Sequence, residues 1–459
     1  MGGAISVYDR MCWPPGELER ALAAGTHRRE LSAWFGQGEY RRLVHLARAA
    51  AAAANCAAHA MQPRVFLIPG LLGSQLGRPR ADGQPCDLLW LDATDIAQGR
   101  LMQLRWHASS GARRAPRALQ PLGMIPHTYL ALKLRLAAAG YHVVVHDYDW
   151  REDILASAAG LARRLETEPA ARLVLIGHSM GGLVARAALA RCTPATARRI
   201  EQLIGLGAPH GGSIGAVQAL RATYPVVLRL AALDPLHDAD TLSRRVFHSF
   251  PSVHQMLPRG TGDLDLFQAR HWPPTGLRPA RGLLAAGAQL ASQLPPADAR
   301  FVSIIGTGHR TVTGLSLQRG QFCYEVSQAG DGTVAAVCAT LPGARDYSLV
   351  CEHSELPRSA RVAAAIIELL QGQRTSRLRA GNHARAGRRV QVSDAMLRRA
   401  LQGKLDWQRL SVDARRRYLN ELNAPPAIYR ASSPARPRAT PRAAARADRR
   451  RTKRTAVPR

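Results

Sequence analysis

Ser179 stands in Gly177-His178-Ser179-Met180-Gly181, a serine with a glycine two positions before it and another two after. The apolar run Leu173-Val174-Leu175-Ile176 enters this stretch, and Leu183-Val184-Ala185-Arg186-Ala187-Ala188-Leu189 leaves it. The pattern predicts a strand, a tight strained turn and a helix, with the hydroxyl exposed at the turn and glycines letting strand and helix approach closely. A serine so placed can be a nucleophile if a histidine takes its proton and an acid holds that histidine's tautomer. Downstream, Asp331 lies in the glycine-flanked loop Gly330-Asp331-Gly332-Thr333-Val334, and His353 follows the short apolar run Leu349-Val350. The chain order Ser179, Asp331, His353 is the one that a strand–turn–serine–helix site uses. His210 precedes the acid and His309 directly follows Gly306-Thr307-Gly308, so both read as local hydrogen-bond partners. Asp263 and Asp265 fall in an interval read below as a cap.

Such a serine also needs two backbone N–H groups aimed at the oxyanion that forms on its substrate. One is expected from Met180, immediately after the nucleophile. The other is expected from Leu71, in the glycine-rich stretch Ile68-Pro69-Gly70-Leu71-Leu72-Gly73-Ser74 that follows the first core strand.

The elements that position these residues follow from periodicity. Short apolar runs at 65–68, 142–145, 173–176, 203–206 and 301–305 end near Gly or Asp and are followed by helical patterns. Strands alternating with helices imply a mostly parallel sheet with its chemistry at the carboxyl ends of the strands. Residues 1–60 read as a helical N-terminal segment and 61–371 as the main α/β domain. Two intervals, about 75–125 and 213–300, lack strong strand signals and read as helical cap insertions over the strand ends. Residues 372–459 form a basic C-terminal region, helical to about 422, with no apolar periodicity from 431 onward, where disorder is expected.

The chain has 459 residues and a net charge of +30, of which +19 lies on residues 372–459. Only Lys133, Lys404 and Lys453 are lysines among 63 basic residues, a bias that genome composition explains as well as selection for guanidinium chemistry does. Seven scattered cysteines show no metal-ligand spacing, and free thiols are the simpler expectation, with one or two disulfide bridges left open. No metal or other cofactor is expected. No apolar run is long enough to span a bilayer and no secretory signal is visible, so a cytoplasmic location is expected, with peripheral membrane association as an added reading.

Several stretches together resemble the lecithin:cholesterol acyltransferase-like family. They are Val65 to Ser74, Asp147-Tyr148-Asp149-Trp150-Arg151, Gly177 to Gly182, Gly207-Ala208-Pro209-His210-Gly211-Gly212-Ser213, Phe250 to Pro258, Gly330 to Val334, and His353-Ser354-Glu355-Leu356-Pro357. They occur in order over about residues 64–371. The resemblance implies an α/β-hydrolase core with a cap, a Ser179–Asp331–His353 triad and acyl-ester lipids as substrates. It supports Leu71 as an oxyanion donor, and it brings Trp150 and Arg151 near the site as candidate pocket residues beside Leu72. The secreted relatives' signal peptide and disulfide-closed lid are not evident here.

The leading expectation is therefore a lipid acyl-ester hydrolase or O-acyltransferase working through an acyl-serine. The competing one is a membrane- or nucleic-acid-binding protein dominated by its basic tail. Beyond Trp407 only Tyr418 and Tyr429 could stack on bases, which disfavours nucleic acid and leaves an anionic membrane surface as the tail's expected partner.

Overall fold

The runs of Val, Leu and Ile around residue 65 and after residue 172 have apolar residues at every position, as strands covered on both faces require. In the computed structural model, which describes residues 12–13, 16–54, 62–79, 86–107, 119–260, 262–372, 374–400 and 403–430, they form the centre of a seven-stranded sheet. The chain makes β1 (Arg64–Ile68), β2 (Ser74–Arg78), β3 (Asp87–Trp90), β4 (Gln120–Met124), β5 (Val143–Val145), β6 (Leu173–His178), β7 (Ile200–Leu206) and β8 (Phe301–Thr307). Then follow β9 (Thr311–Gln318), β10 (Gln321–Ser327), β11 (Arg345–Val350), β12 (Arg379–Ala380) and β13 (Val390–Ser393). The main sheet runs β12-β11-β8-β7-β6-β1-β5, parallel except for the antiparallel edge strand β12.

Alternation along each strand splits the core between the two faces. Val65, Leu67, Val174, Ile176 and Val302 pack with helices Pro126–Ala138 and Ala360–Leu370. Phe66, Ile68, Leu173, Leu175 and Phe301 pack on the other side with helices Ile154–Thr167 and Met180–Leu189 and with the cap. The expected mostly parallel sheet flanked by helices is the architecture found.

The first insertion differs from its expected helical character. Beside a short helix it builds a three-stranded antiparallel sheet, β3-β2-β4. Its strands are irregular sequences such as Ser-Gln-Leu-Gly-Arg and Gln-Pro-Leu-Gly-Met, and the register shifts at Leu76/Gly77, so no alternating pattern marks them. The second insertion is helical. It opens with two helices, Ile214–Leu220 and Pro225–Leu233, separated at Ala222, whose φ is 55°.

The N-terminal helices Glu17–Ala24, Arg28–Phe35 and Gln37–Ala54 pack through Leu22, Leu31 and Leu43 onto Leu130 and Leu134 of helix Pro126–Ala138. A disulfide joins Cys12 to Cys86 and ties this segment to the first insertion, in contrast to the free thiols expected. Cys192, Cys323, Cys338 and Cys351 are free, and Cys56 lies outside the described residues.

Residues 374–400 and 403–430 are built into the body of the protein. β13 pairs with β10, and Asp394 binds the Arg221 guanidinium at 2.8 Å while accepting from the Tyr324 hydroxyl at 2.6 Å. The expectation of disorder from residue 431 falls outside the described residues. Among the described residues no helix is long and apolar enough to cross a membrane, and no group of three or more His, Cys, Asp or Glu is placed to hold a metal ion.

Candidate functional site

β6 ends at His178, and helix Met180–Leu189 begins one residue later, which leaves Ser179 alone to make the turn. Its backbone sits at φ 53°, ψ −130°, a strained conformation that the surroundings must enforce. They do so by hydrogen bonding and contact: Ser179 N–H donates to Leu206 O of β7 at 2.9 Å, and Gly182 N–H donates back to Ser179 O at 2.9 Å. A side chain on Gly177 would strike the Gly182 backbone, and one on Gly181 would strike the Pro69 carbonyl. The glycines of the motif are there because strand and helix nearly touch.

Asp331 and His353 arrive from different parts of the chain. After β8 the chain makes the β9–β10 hairpin and returns to the end of β8, where Asp331 bridges His309. His353 opens a single helical turn beyond β11. Its Nδ1 lies 2.7 Å from Asp331 Oδ2, and its backbone N–H donates to Asp331 O at 2.8 Å. The other carboxylate oxygen, Oδ1, accepts from the N–H groups of Thr333 (2.9 Å) and Val334 (2.7 Å). Asp331 is thus buried as a fully bonded carboxylate that fixes the imidazole's orientation. Space for the pair comes from Gly207, with φ 57°, where a Cβ would stand 3.0 Å from Asp331 Oδ2 and 3.1 Å from His353 Nδ1.

A second buried chain of bonds links the Leu71 loop and the segments that carry Ser179 and His353. His178 Nε2 faces His353 O at 3.1 Å, and a carbonyl can only accept, so Nε2 carries the proton. Burial, with the neighbouring His353, holds the His178 pKa well below its ordinary value, so the ring is neutral and Nδ1 is an acceptor. The Tyr129 hydroxyl, 2.9 Å away, donates to it and itself accepts from Gly70 N–H at 2.9 Å. The loop containing Leu71, the serine turn and the His353 backbone are therefore held in mutual register. Nothing in the sequence marks Tyr129, and His178 was visible only as a filler position of the glycine–serine motif.

Ser179, His353, Leu71 and Leu72 line a cavity of about 450 Å³ whose other walls include Trp90, Val253 and Met256. The first two are members of the candidate triad, so one cavity reaches both the candidate nucleophile and the candidate base. Trp150 and Arg151 are not among its lining residues. Trp150 is buried against Trp90 and Phe250 and donates from Nε1 to Ser74 O at 2.9 Å. Tyr148 likewise donates to Pro69 O at 2.8 Å, so this segment braces the Leu71 loop from behind. Arg151 is buried in a bidentate pair with Asp149, at 2.9 and 2.7 Å, and donates to Leu104 O. A buried arginine so completely paired is a structural part.

Of the other polar candidates, His309 pairs with Glu352 at 3.3 Å. His210 is neutral, its pKa pushed down to about 3 by burial, and its Nδ1 has no partner among the described residues. Asp263 and Asp265 lie exposed in the second insertion, as expected of cap residues.

The family model for lecithin:cholesterol acyltransferase matches residues 129–277, a span that takes in Tyr129, Ser179 and Met180 and ends before Asp331 and His353. No curated protein matches. Among solved structures, the mature Bacillus licheniformis lipase BlEst2 is similar at 15% identity and TM-score 0.35, over 67% of this chain and 92% of that one. The structure of the Tle4–Tli4 complex is similar at 13% identity and TM-score 0.39, over 68% and 98%. The lin2722 product of Listeria innocua is similar at 12% identity and TM-score 0.27, over 69% and 96%. The parallel sheet with a strained serine turn between strand and helix is an α/β-hydrolase fold, and the family match supports acyl-ester hydrolase or acyltransferase activity on lipids in general.

Proposed function

We propose that this chain is a serine acyl-ester hydrolase or O-acyltransferase whose lipid substrate is cleaved through an acyl-enzyme on Ser179. The observation that carries the reading is the 2.7 Å His353–Asp331 pair, whose histidine lines the same apolar cavity as a serine in a strained strand-to-helix turn.

Ser179 Oγ attacks the ester carbonyl carbon while His353 Nε2 accepts the hydroxyl proton. Asp331 holds Nδ1 protonated and stabilises the resulting imidazolium. The oxyanion lies between the N–H groups of Leu71 and Met180, each worth about 3 kcal/mol to the transition state. The tetrahedral centre collapses, the bond to the leaving alkoxide breaks, and the alkoxide takes the proton from His353. Water or an acceptor alcohol then attacks the acyl-serine, giving its proton to His353, which returns it to Ser179 as the serine departs. Water is the default acceptor, so hydrolysis is the primary reaction proposed. Basic residues of the C-terminal region would hold the enzyme near anionic lipid.

The test is product analysis with phospholipid labelled in each acyl chain, with and without an added long-chain alcohol. Free labelled fatty acid alone indicates a hydrolase, and labelled alkyl ester indicates a transferase. Intact phospholipid, together with undiminished turnover of simple esters by the Ser179→Ala protein, would overturn the reading.

A further inference from the structure

Two segments far apart in the chain, 28–35 and 403–430, meet over the cavity that holds Ser179. Ala33 and Trp34, from helix Arg28–Phe35, line it from one side, and Trp407, Val412, Leu419 and Leu422 line it from the C-terminal segment 403–430. We infer that these two segments form the binding site for the substrate's acyl chain and set the chain length accepted. The inference rests on the acyl-serine reading of the same cavity.

How the segment is fastened supports this. Its first anchor is Lys404, whose ammonium donates to the carbonyls of Ala231, Asp234 and His237, with Leu405 N–H on Ala232 O. Its second follows the helix Val412–Asn420. The Arg229 guanidinium holds Leu422 O and Ala424 O, while Asn423 accepts from the Tyr224 hydroxyl at 2.6 Å and donates to Thr333 Oγ1 at 2.7 Å. Thr333 N–H is also a donor to Asp331, so the anchor reaches the loop carrying the catalytic acid. Between the anchors the helix contains no fully buried residue. It lies as a cover, touching the N-terminal helix through Arg416, which donates to Ala33 O at 3.2 Å.

The chemistry of this cover suits hydrocarbon and not a charged group. Arg358, on the segment after His353, pairs with Glu355 and keeps its buried Nε without a partner among the described residues, but on the cover Arg415 spends its guanidinium on Trp407 O and Gln408 O, and Arg416 spends its own on Ala33 O and Asp413. With those heads occupied, the wall offers the indoles of Trp34 and Trp407 and the side chains of Val412, Leu419 and Leu422. His127, also in the lining, is neutral because burial and nearby Arg358, Arg416 and Arg42 push its pKa down to about 3. A methylene more or less in such a pocket changes relative rates by roughly tenfold or more.

The test compares kcat/KM for butyrate and myristate p-nitrophenyl esters in the full chain. Val412→Trp and Leu419→Trp should each lower the myristate-to-butyrate ratio by roughly tenfold or more, and Trp34→Ala should move the optimum toward longer chains. Val412 is 60% exposed, so added bulk there does not enter the core. A ratio that stays at the parent value in both tryptophan variants, in protein that a fluorophosphonate still labels, overturns the inference. Loss of labelling in those variants would make the segment a gate to Ser179 instead of a chain-length wall, and would overturn it too. Failure of the underlying reading is separately visible, as labelling that persists in Ser179→Ala.

Discussion

The cavity has two unlike walls. On one, Ser179 follows a fully buried strand and His353 follows β11, with Asp331 behind His353 against the end of β8, each pinned by backbone hydrogen bonds to its neighbours. On the other, Trp34, Trp90, Met256 and Leu419 come from four separate parts of the chain, none of them a strand of the main sheet. The first wall is rigid because parallel strands covered on both faces leave its residues little freedom. The second is made by side-chain packing and a few anchors, so its shape can change without disturbing the chemistry. Reaction type should therefore follow from the sheet wall, and selectivity from the covering wall.

The sharpest way to break this division is at the sheet wall. Ser179→Ala should lower kcat by on the order of 10⁶, and His353→Ala by nearly as much, with the double variant no worse because residues acting as one unit are non-additive. Asp331→Asn should cost about 10⁴ by presenting the wrong imidazole tautomer. Asp263→Asn and Asp265→Asn should leave ester turnover unchanged. A dead Asp263 or Asp265 variant beside an active Asp331→Asn would move the acid into the cover and dissolve the distinction.

A second prediction separates bracing from binding. Arg151→Met strands the buried Asp149 carboxylate and should cost roughly 3–5 kcal/mol in denaturant unfolding, with kcat/KM of the folded protein preserved. Loss of substrate affinity without loss of stability would return Arg151 to the pocket.

Tyr129 should fall between the two. Tyr129→Phe leaves Gly70 N–H and His178 Nδ1 without their shared partner, each a buried group costing about 1–3 kcal/mol when unpaired. Because both belong to the segments proposed to carry the chemistry, kcat should drop by roughly ten- to a hundredfold with KM nearly unchanged. A rise in KM at constant kcat would place Tyr129 with the cover instead.

The smallest expected effect concerns His146, whose two ring nitrogens are buried without partners among the described residues and whose pKa burial pushes down to about 4. The unfolded chain binds a proton there below about pH 6.5 and the folded chain does not until about pH 4, so this group weakens the fold as pH falls through that window and has no effect above it. His146→Phe should make the drop in melting temperature between neutral pH and pH 4.5 shallower. His254, also held near 4, and His127 and His210, held near 3, keep it from vanishing. An unchanged slope would show that His146 finds a partner in solution.

The sheet wall is legible in the order and spacing of residues alone. Glycine spacing around Ser179, apolar runs without alternation, and glycines beside Asp331 are local signals, since each reflects a contact that the chain makes with its own neighbours in a strand or turn. The order of Ser179, Asp331 and His353 could be read for the same reason, because each sits at a recognisable strand end or loop. Only the tertiary structure decided the rest. It moved Trp150 and Arg151 behind the Leu71 loop, joined Tyr129 to His178, and paired Cys12 with Cys86. It also brought Trp34 and Leu419, far apart in the chain, onto one cavity. These are contacts of high sequence separation between side chains with no local periodicity to announce them, and their partners are chosen by which surfaces remain to be covered once the sheet has formed.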